Sequence, residues 1–160
     1  MEISDILILH QADARNNGTL DANNDTLVFD IPNTYYSNQR SSSCFLTLVD
    51  FNFSKDQTDD YLLVYYNTLS QNQFNSANNG TYLGYGICKG DANDPLQITN
   101  SPNFKIMVNA RPSNITLKIK AQGNGNLGSA ITNAFFVLKF DYANPVDTGE
   151  ELLNQYTPTL

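Results

Sequence analysis

Ile115, Leu117 and Ile119 alternate with Thr116, Lys118 and Lys120. A period of two puts the first set on one face of a strand and the second on the other. Phe104, Ile106 and Val108 alternate in the same way with Lys105, Met107 and Asn109. The stretch 43–53 carries both phases, with Phe45, Val49, Phe51 and Phe53 in one and Leu46 and Leu48 in the other. The runs 61–66 and 135–140 are almost continuously apolar, as expected of strands covered on both faces. Clusters such as Asn16-Asn17-Gly18, Asn23-Asn24-Asp25, Asn78-Asn79-Gly80 and Gly123-Asn124-Gly125 punctuate these runs. They supply positive φ and side chains that bond their own backbone, so they read as turns. Eight strands are expected, at 3–10, 26–31, 43–53, 61–67, 81–88, 103–109, 114–121 and 134–142. The one helical candidate is a single turn at 148–153, capped by Thr148.

Eight strands with long connections predict an all-β fold, an eight-stranded jelly-roll β-sandwich of two four-stranded antiparallel sheets. The connections between 3–10 and 26–31 and between 61–67 and 81–88 each exceed ten residues. Such lengths suit crossings between sheets better than an up-and-down barrel. The expected organisation is a single domain over 1–142 and a C-terminal arm or tail over 143–160, which holds Pro145 and Pro158.

Composition narrows the function classes. The chain is 160 residues long, 41% hydrophobic and only 16% charged, with 22 Asn. It has the apolar content of a core, which excludes the disorder signature of low hydrophobicity with high charge. No apolar run approaches the ~18–20 residues of a transmembrane helix. A net charge of −7 leaves no basic stripe for phosphates, so no nucleic-acid partner is expected. The densest basic stretch is Lys118-Ile119-Lys120, which reads as a solvated strand face. The first ten residues are acidic, with an apolar run of four, so no secretion signal is expected. Cys44 and Cys88 read as core thiols of a reducing compartment, with a single disulfide as the alternative.

Motifs that carry chemistry fail one by one. Gly123-Asn124-Gly125-Asn126-Leu127-Gly128 matches the dinucleotide fingerprint, but the next strand begins too soon for the helix that would hold a pyrophosphate. Asp21-Ala22-Asn23-Asn24-Asp25 resembles half a calcium loop, yet Thr26 and Pro32 stand where glycine and glutamate are needed. A calcium site of another kind, built from Asp21, Asp25 or the Asp91–Asp94 loop, is the alternative to plain Asn- and Asp-rich turns, which need no metal. His10 is the only histidine, so a Cys–His pair or a metal-binding histidine cluster has no support. Asp56, Asp59 and Asp60 beside Lys55 read as a solvated turn, and Trp is absent. Sequons at Asn17, Asn24, Asn52, Asn79 and Asn114 follow from composition, and Lys89-Gly90-Asp91 is too short a match to weigh. An enzyme is not expected; no catalytic, cofactor-binding or metal residue is assigned, and no cofactor.

The order of the strands is then the informative feature. The succession Thr26-Leu27-Val28-Phe29-Asp30-Ile31-Pro32, then 44–53, then Tyr61-Leu62-Leu63-Val64-Tyr65-Tyr66 resembles single jelly-roll capsid proteins. Phe104-Lys105-Ile106-Met107-Val108, the run 111–119 and Phe136-Val137-Leu138-Lys139-Phe140 are similar to the closing strands of penton and minor capsid proteins. The relatives are those of virophages, polinton-like viruses and related icosahedral DNA viruses, and the resemblance spans 26–142. It implies a structural virion protein that forms a homo-oligomer, a pentamer first, and contacts the major capsid protein of the same virion. The location it implies is the capsid, the chain being made in the host cell without a secretion signal. The alternative is a carbohydrate- or receptor-binding β-sandwich module, with Tyr35, Tyr36, Tyr65, Tyr66, Tyr82 and Tyr85 available for stacking.

Overall fold

A computed structural model describes residues 3–37, 41–53, 61–66, 80–88, 97–99, 105–121, 123 and 125–142. The arm 143–160 with its turn at 148–153, the acidic turn at 55–60, the sequon at Asn79 and the 89–94 loop lie outside the described residues. The strands are β1 (Ile3–His10), β2 (Thr26–Asp30), β3 (Ser43–Asn52), β4 (Tyr61–Tyr66), β5 (Thr81–Cys88), β6 (Gln97–Thr99), β7 (Ile106–Asn109), β8 (Asn114–Ala121) and β9 (Phe135–Tyr142). All eight expected strands are among them. The addition is β6, a three-residue strand that pairs antiparallel with Gly86–Cys88 of β5. Three residues are too few for alternation to register in the sequence. The second sheet therefore holds five strands rather than four.

The sheets run β1-β9-β3-β7 and β2-β8-β4-β5-β6, antiparallel throughout. Setting β6 aside, the first strand pairs with the last, the second with the last but one, and so inward to β4 with β5. That nested pairing is what a long hairpin produces when it is folded over itself into two layers.

The two inner faces meet in one hydrophobic core. Leu46, Leu48, Phe136, Leu138 and Phe140 from one sheet face Leu62, Val64, Ile115, Leu117 and Ile119 from the other, all fully buried. A bulge shapes this packing. In β3, Leu48 opposes Leu138 and Asp50 opposes Val137, so Val49 is an extra residue. An extra residue inverts the alternation beyond it. Cys44, Leu46 and Leu48 therefore point inward before the bulge, and Phe51 and Phe53 after it, all of them buried. The two apolar phases of 43–53 are one inner face, interrupted once; Phe45 and Val49 face outward.

β1 is an edge strand, and its open side is screened by the 31–37 segment. The Tyr35 hydroxyl donates to the Ile6 carbonyl, and the Ser37 amide donates to the Asp5 carboxylate at 2.9 Å. Bonds of this kind remove the unpaired edge groups that invite aggregation.

Lys120, buried at the end of β8, meets Asp25 at 2.6 Å. Burial opposes the charge on Asp25, but Lys120, Thr26 and Lys118 outweigh it and hold the carboxyl below its ordinary value. Asp141 is held down in the same way, against its burial, by Lys139, Ser4 and Lys105. A carboxyl with a lowered folded pKa stabilises the fold fully above the unfolded value of about 4. That contribution is lost as pH falls through the folded value. The urea midpoint is thus expected to fall progressively below pH 4. Lys120→Met should remove part of this acid dependence and lower stability at pH 7 by about 1–3 kcal/mol. An acid limb unchanged in the variant would show that the pair contributes nothing.

Candidate interaction surface

The outer face of the β1-β9-β3-β7 sheet combines features that a solvated surface does not need. Among the described residues, six large hydrophobic side chains are exposed: Ile6, Ile8, Tyr35, Phe45, Val49 and Met107. Five of them stand on this one sheet, and Tyr35 lies against its β1 edge. Scattered exposed hydrophobics are ordinary, whereas a concentration on one face marks an interaction surface.

The register shows how they are arranged. Phe45 lies directly opposite Met107 across β3 and β7. Ile8 lies opposite Val137 on β9, and Val137 sits at the bulge that carries Val49. An apolar row thus crosses β1, β9 and β3, with Ile8 at 59% and Val49 at 49% exposure. Beside Ile8 a small apolar groove of about 180 Å³ is lined by Leu7, Leu9, Ile31, Pro32 and Tyr35.

Three charged groups on this face pair with one another, while Asp50, opposite Val137, accepts from the Asn52 side-chain amide at 3.1 Å. Asp141, almost fully buried, accepts from Ser4 Oγ at 2.7 Å and from Lys139 Nζ at 2.8 Å, with Lys105 Nζ at 3.9 Å. Lys139 lies opposite both Ile6 and Thr47. The Thr47 hydroxyl is buried and has no hydrogen-bond partner among the described residues. A hydroxyl left so costs about 1–3 kcal/mol, which a docked partner can relieve. The face is therefore apolar around an ion-paired polar centre, with one further carboxylate, Asp50, beside the apolar row.

The residues singled out in the sequence fall elsewhere or into structural roles. Lys118 and Lys120 share one face of β8, but Lys120 is occupied by Asp25. Asp21 accepts from the Asn23 and Asn24 amides, so the half calcium loop is a self-capped turn. Gly123 has a φ of 72°, and the described residues after it, 125–134, hold no helix. His10 packs its ring on Phe135 at 5.9 Å. Among the described residues no three His, Cys, Asp or Glu gather as metal ligands, and no helix is long and apolar enough to cross a membrane. Cys44 is a free, buried thiol whose pKa burial pushes up to about 12, so it packs as a small hydrophobe.

The tyrosines divide. Tyr36 and Tyr66 are core residues, and Tyr36 donates to the Pro112 carbonyl at 2.7 Å. Tyr65 is buried against Tyr82 at 5.6 Å, and Tyr61 meets Tyr85 at 6.4 Å. Burial, with the neighbouring tyrosines, pushes the Tyr82 phenol up to about 12. These rings pack on one another and do not form an open stacking platform. The outer-face patch was not visible in the sequence, because β1 is apolar in both phases and the β3 phases interchange at the bulge. Compared with known proteins, the chain matches no family model, and no curated protein is significantly similar to it.

Proposed function

We propose that this protein is a structural capsid subunit, a single jelly roll that assembles into a closed ring at the fivefold vertices of an icosahedral shell. The observation that carries this reading is the concentration of exposed apolar side chains on the outer face of the β1-β9-β3-β7 sheet. A rolled sandwich with one such face is suited to repeated subunit contacts, because closed symmetry uses the same patch on every copy. The nested strand order supports it, as does the resemblance of 26–142 to penton and minor capsid proteins. The low content of ionic side chains reduces the desolvation penalty of burying the remaining surface against a major capsid protein.

Native mass spectrometry of the full chain at micromolar concentration is expected to show a closed oligomer of five copies. Ile8→Glu with Val49→Glu should reduce it to folded monomers, weakening association by at least about a hundredfold, since each aliphatic side chain contributes about 1.5–3 kcal/mol on burial. Peptides of this chain are expected in purified virions at a copy number matching the vertices. A wild-type chain that stays monomeric and is missing from virions would overturn the assignment.

A further inference from the structure

Beyond the sheet face, a second site stands at the end of the sandwich, where β1 runs out. A cavity of about 550 Å³ is lined by His10, Asp13, Asn17, Thr132 and Asn133 over a floor of Gln11. The floor is rigid. Gln11 is buried, and its amide donates to the carbonyls of Gly18 at 2.7 Å and Ile131 at 2.8 Å while accepting from the Ala134 amide at 3.0 Å. The Leu20–Ile131 bridge closes the frame behind it.

The walls differ in kind from the other turns of this chain. The side chains of Asp13, Asn17, Thr132 and Asn133 are exposed, and none has a hydrogen-bond partner among the described residues. The 21–26 turn, in contrast, satisfies its own carboxylate and amide groups. Asn17 and Asn133 both hold left-handed backbone, with φ of 58° and 55°. Two stretches more than a hundred residues apart in the chain thus bring amides, a hydroxyl, a carboxylate and an imidazole around one concavity. The chemistry selects a ligand class. The lining contains no Lys or Arg, and nearby Arg15 is held by both oxygens of Asp30, so an anion has no counter-charge. One carboxylate is far from the six to eight oxygens that calcium takes. Amides and hydroxyls that both donate and accept match sugar hydroxyls, which do the same. The His10 ring packed on half-buried Phe135 supplies an apolar edge for the C–H face of a pyranose.

We propose that this pocket is a metal-independent binding site for a neutral sugar residue of a glycan. Affinity in the millimolar range is the scale for one sugar in an open polar pocket. The test is saturation-transfer NMR on the full chain with methyl glycosides of glucose, galactose, mannose, fucose and N-acetylglucosamine. Free sialic acid serves as the anionic comparison, and each sample is run with and without EDTA. At least one neutral glycoside is expected to show transfer that EDTA leaves unchanged. Asn17→Gly with Asn133→Gly should weaken it at least tenfold while the fold is kept, because glycine takes both left-handed positions without strain. Thr132→Val removes one hydroxyl by an independent route and should weaken the same glycoside. Transfer to sialic acid alone, loss of signal in EDTA, no transfer to any neutral glycoside, or unchanged binding in both variants would each overturn the proposal.

Discussion

Gly18→Ala is expected to cost the fold about 3–5 kcal/mol, placing it among the most damaging single-methyl changes available in this chain. Gly18 has a φ of 62°, where side chains with a Cβ are strained. An added Cβ would lie 1.7 Å from the Gln11 carbonyl oxygen and 2.6 Å from its carbon. Both are backbone atoms, so no rotamer change relieves the overlap. The Gly18 carbonyl also accepts from the Gln11 amide, and moving it opens the buried set of bonds that ties β1 to the 131–134 segment. Urea denaturation should show the midpoint falling by about 1–3 M at an unchanged slope. Asn17→Gly, one residue away and also left-handed, should be close to neutral. A Gly18→Ala protein with a wild-type midpoint would mean that the Gln11 turn does not hold this end of the sandwich.

Phe136→Ala is the second large effect, expected at about 3–5 kcal/mol. Phe136 is fully buried near the start of β9 and lies flat on Phe51, with ring centroids 4.6 Å apart and planes 6° from parallel. Phe29 from the opposite sheet meets it edge-on at 6.4 Å, so this ring joins the two layers. Gly86 of β5 contributes by its bareness: a Cβ there would come within 2.5 Å of the Phe51 ring. The layers close on this stack, and removing one ring leaves a cavity that strands on both sides cannot collapse to fill. The double variant Phe51→Ala with Phe136→Ala should destabilise by less than the sum of the single changes, because the second truncation removes a ring already without its partner. Strict additivity in a double-mutant cycle would show that the stack carries no pairwise energy.

Much of the architecture is legible from alternation, and the failures have physical causes. Ile115, Leu117 and Ile119 announce their face because Thr116 and Lys118 are polar; β8 follows from them directly. The stretch 43–53 reads ambiguously because a bulge at Val49 exchanges the phases, and only the move of the polar residues from Ser43 and Thr47 to Asp50 and Asn52 marks the change. β6 is too short to show a period. The sugar pocket is illegible for another reason. Asn16-Asn17-Gly18 is readable as a turn, but Thr132 and Asn133 are brought beside it by the Leu20–Ile131 bridge and the Gln11 bonds, contacts that local sequence cannot encode. Gln11 carries no sequence signal at all, being an ordinary polar residue after a strand, although it bonds three backbone groups.

The place of β9 in the first sheet has a consequence for synthesis. Among the described residues β9 is the last strand, yet it lies between β1 and β3 and is the only strand that pairs with β1. While a ribosome is still making residues 135–142, β1 and β3 both lack the described neighbour that each pairs with in β9. Strand pairs this distant in sequence close slowly, and apolar edges waiting for a partner are where growing chains stick to one another. Cooperative closure of that sheet therefore has to wait until 135–142 have left the exit tunnel, and the yield of folded protein should depend on how well the nascent chain is shielded until then.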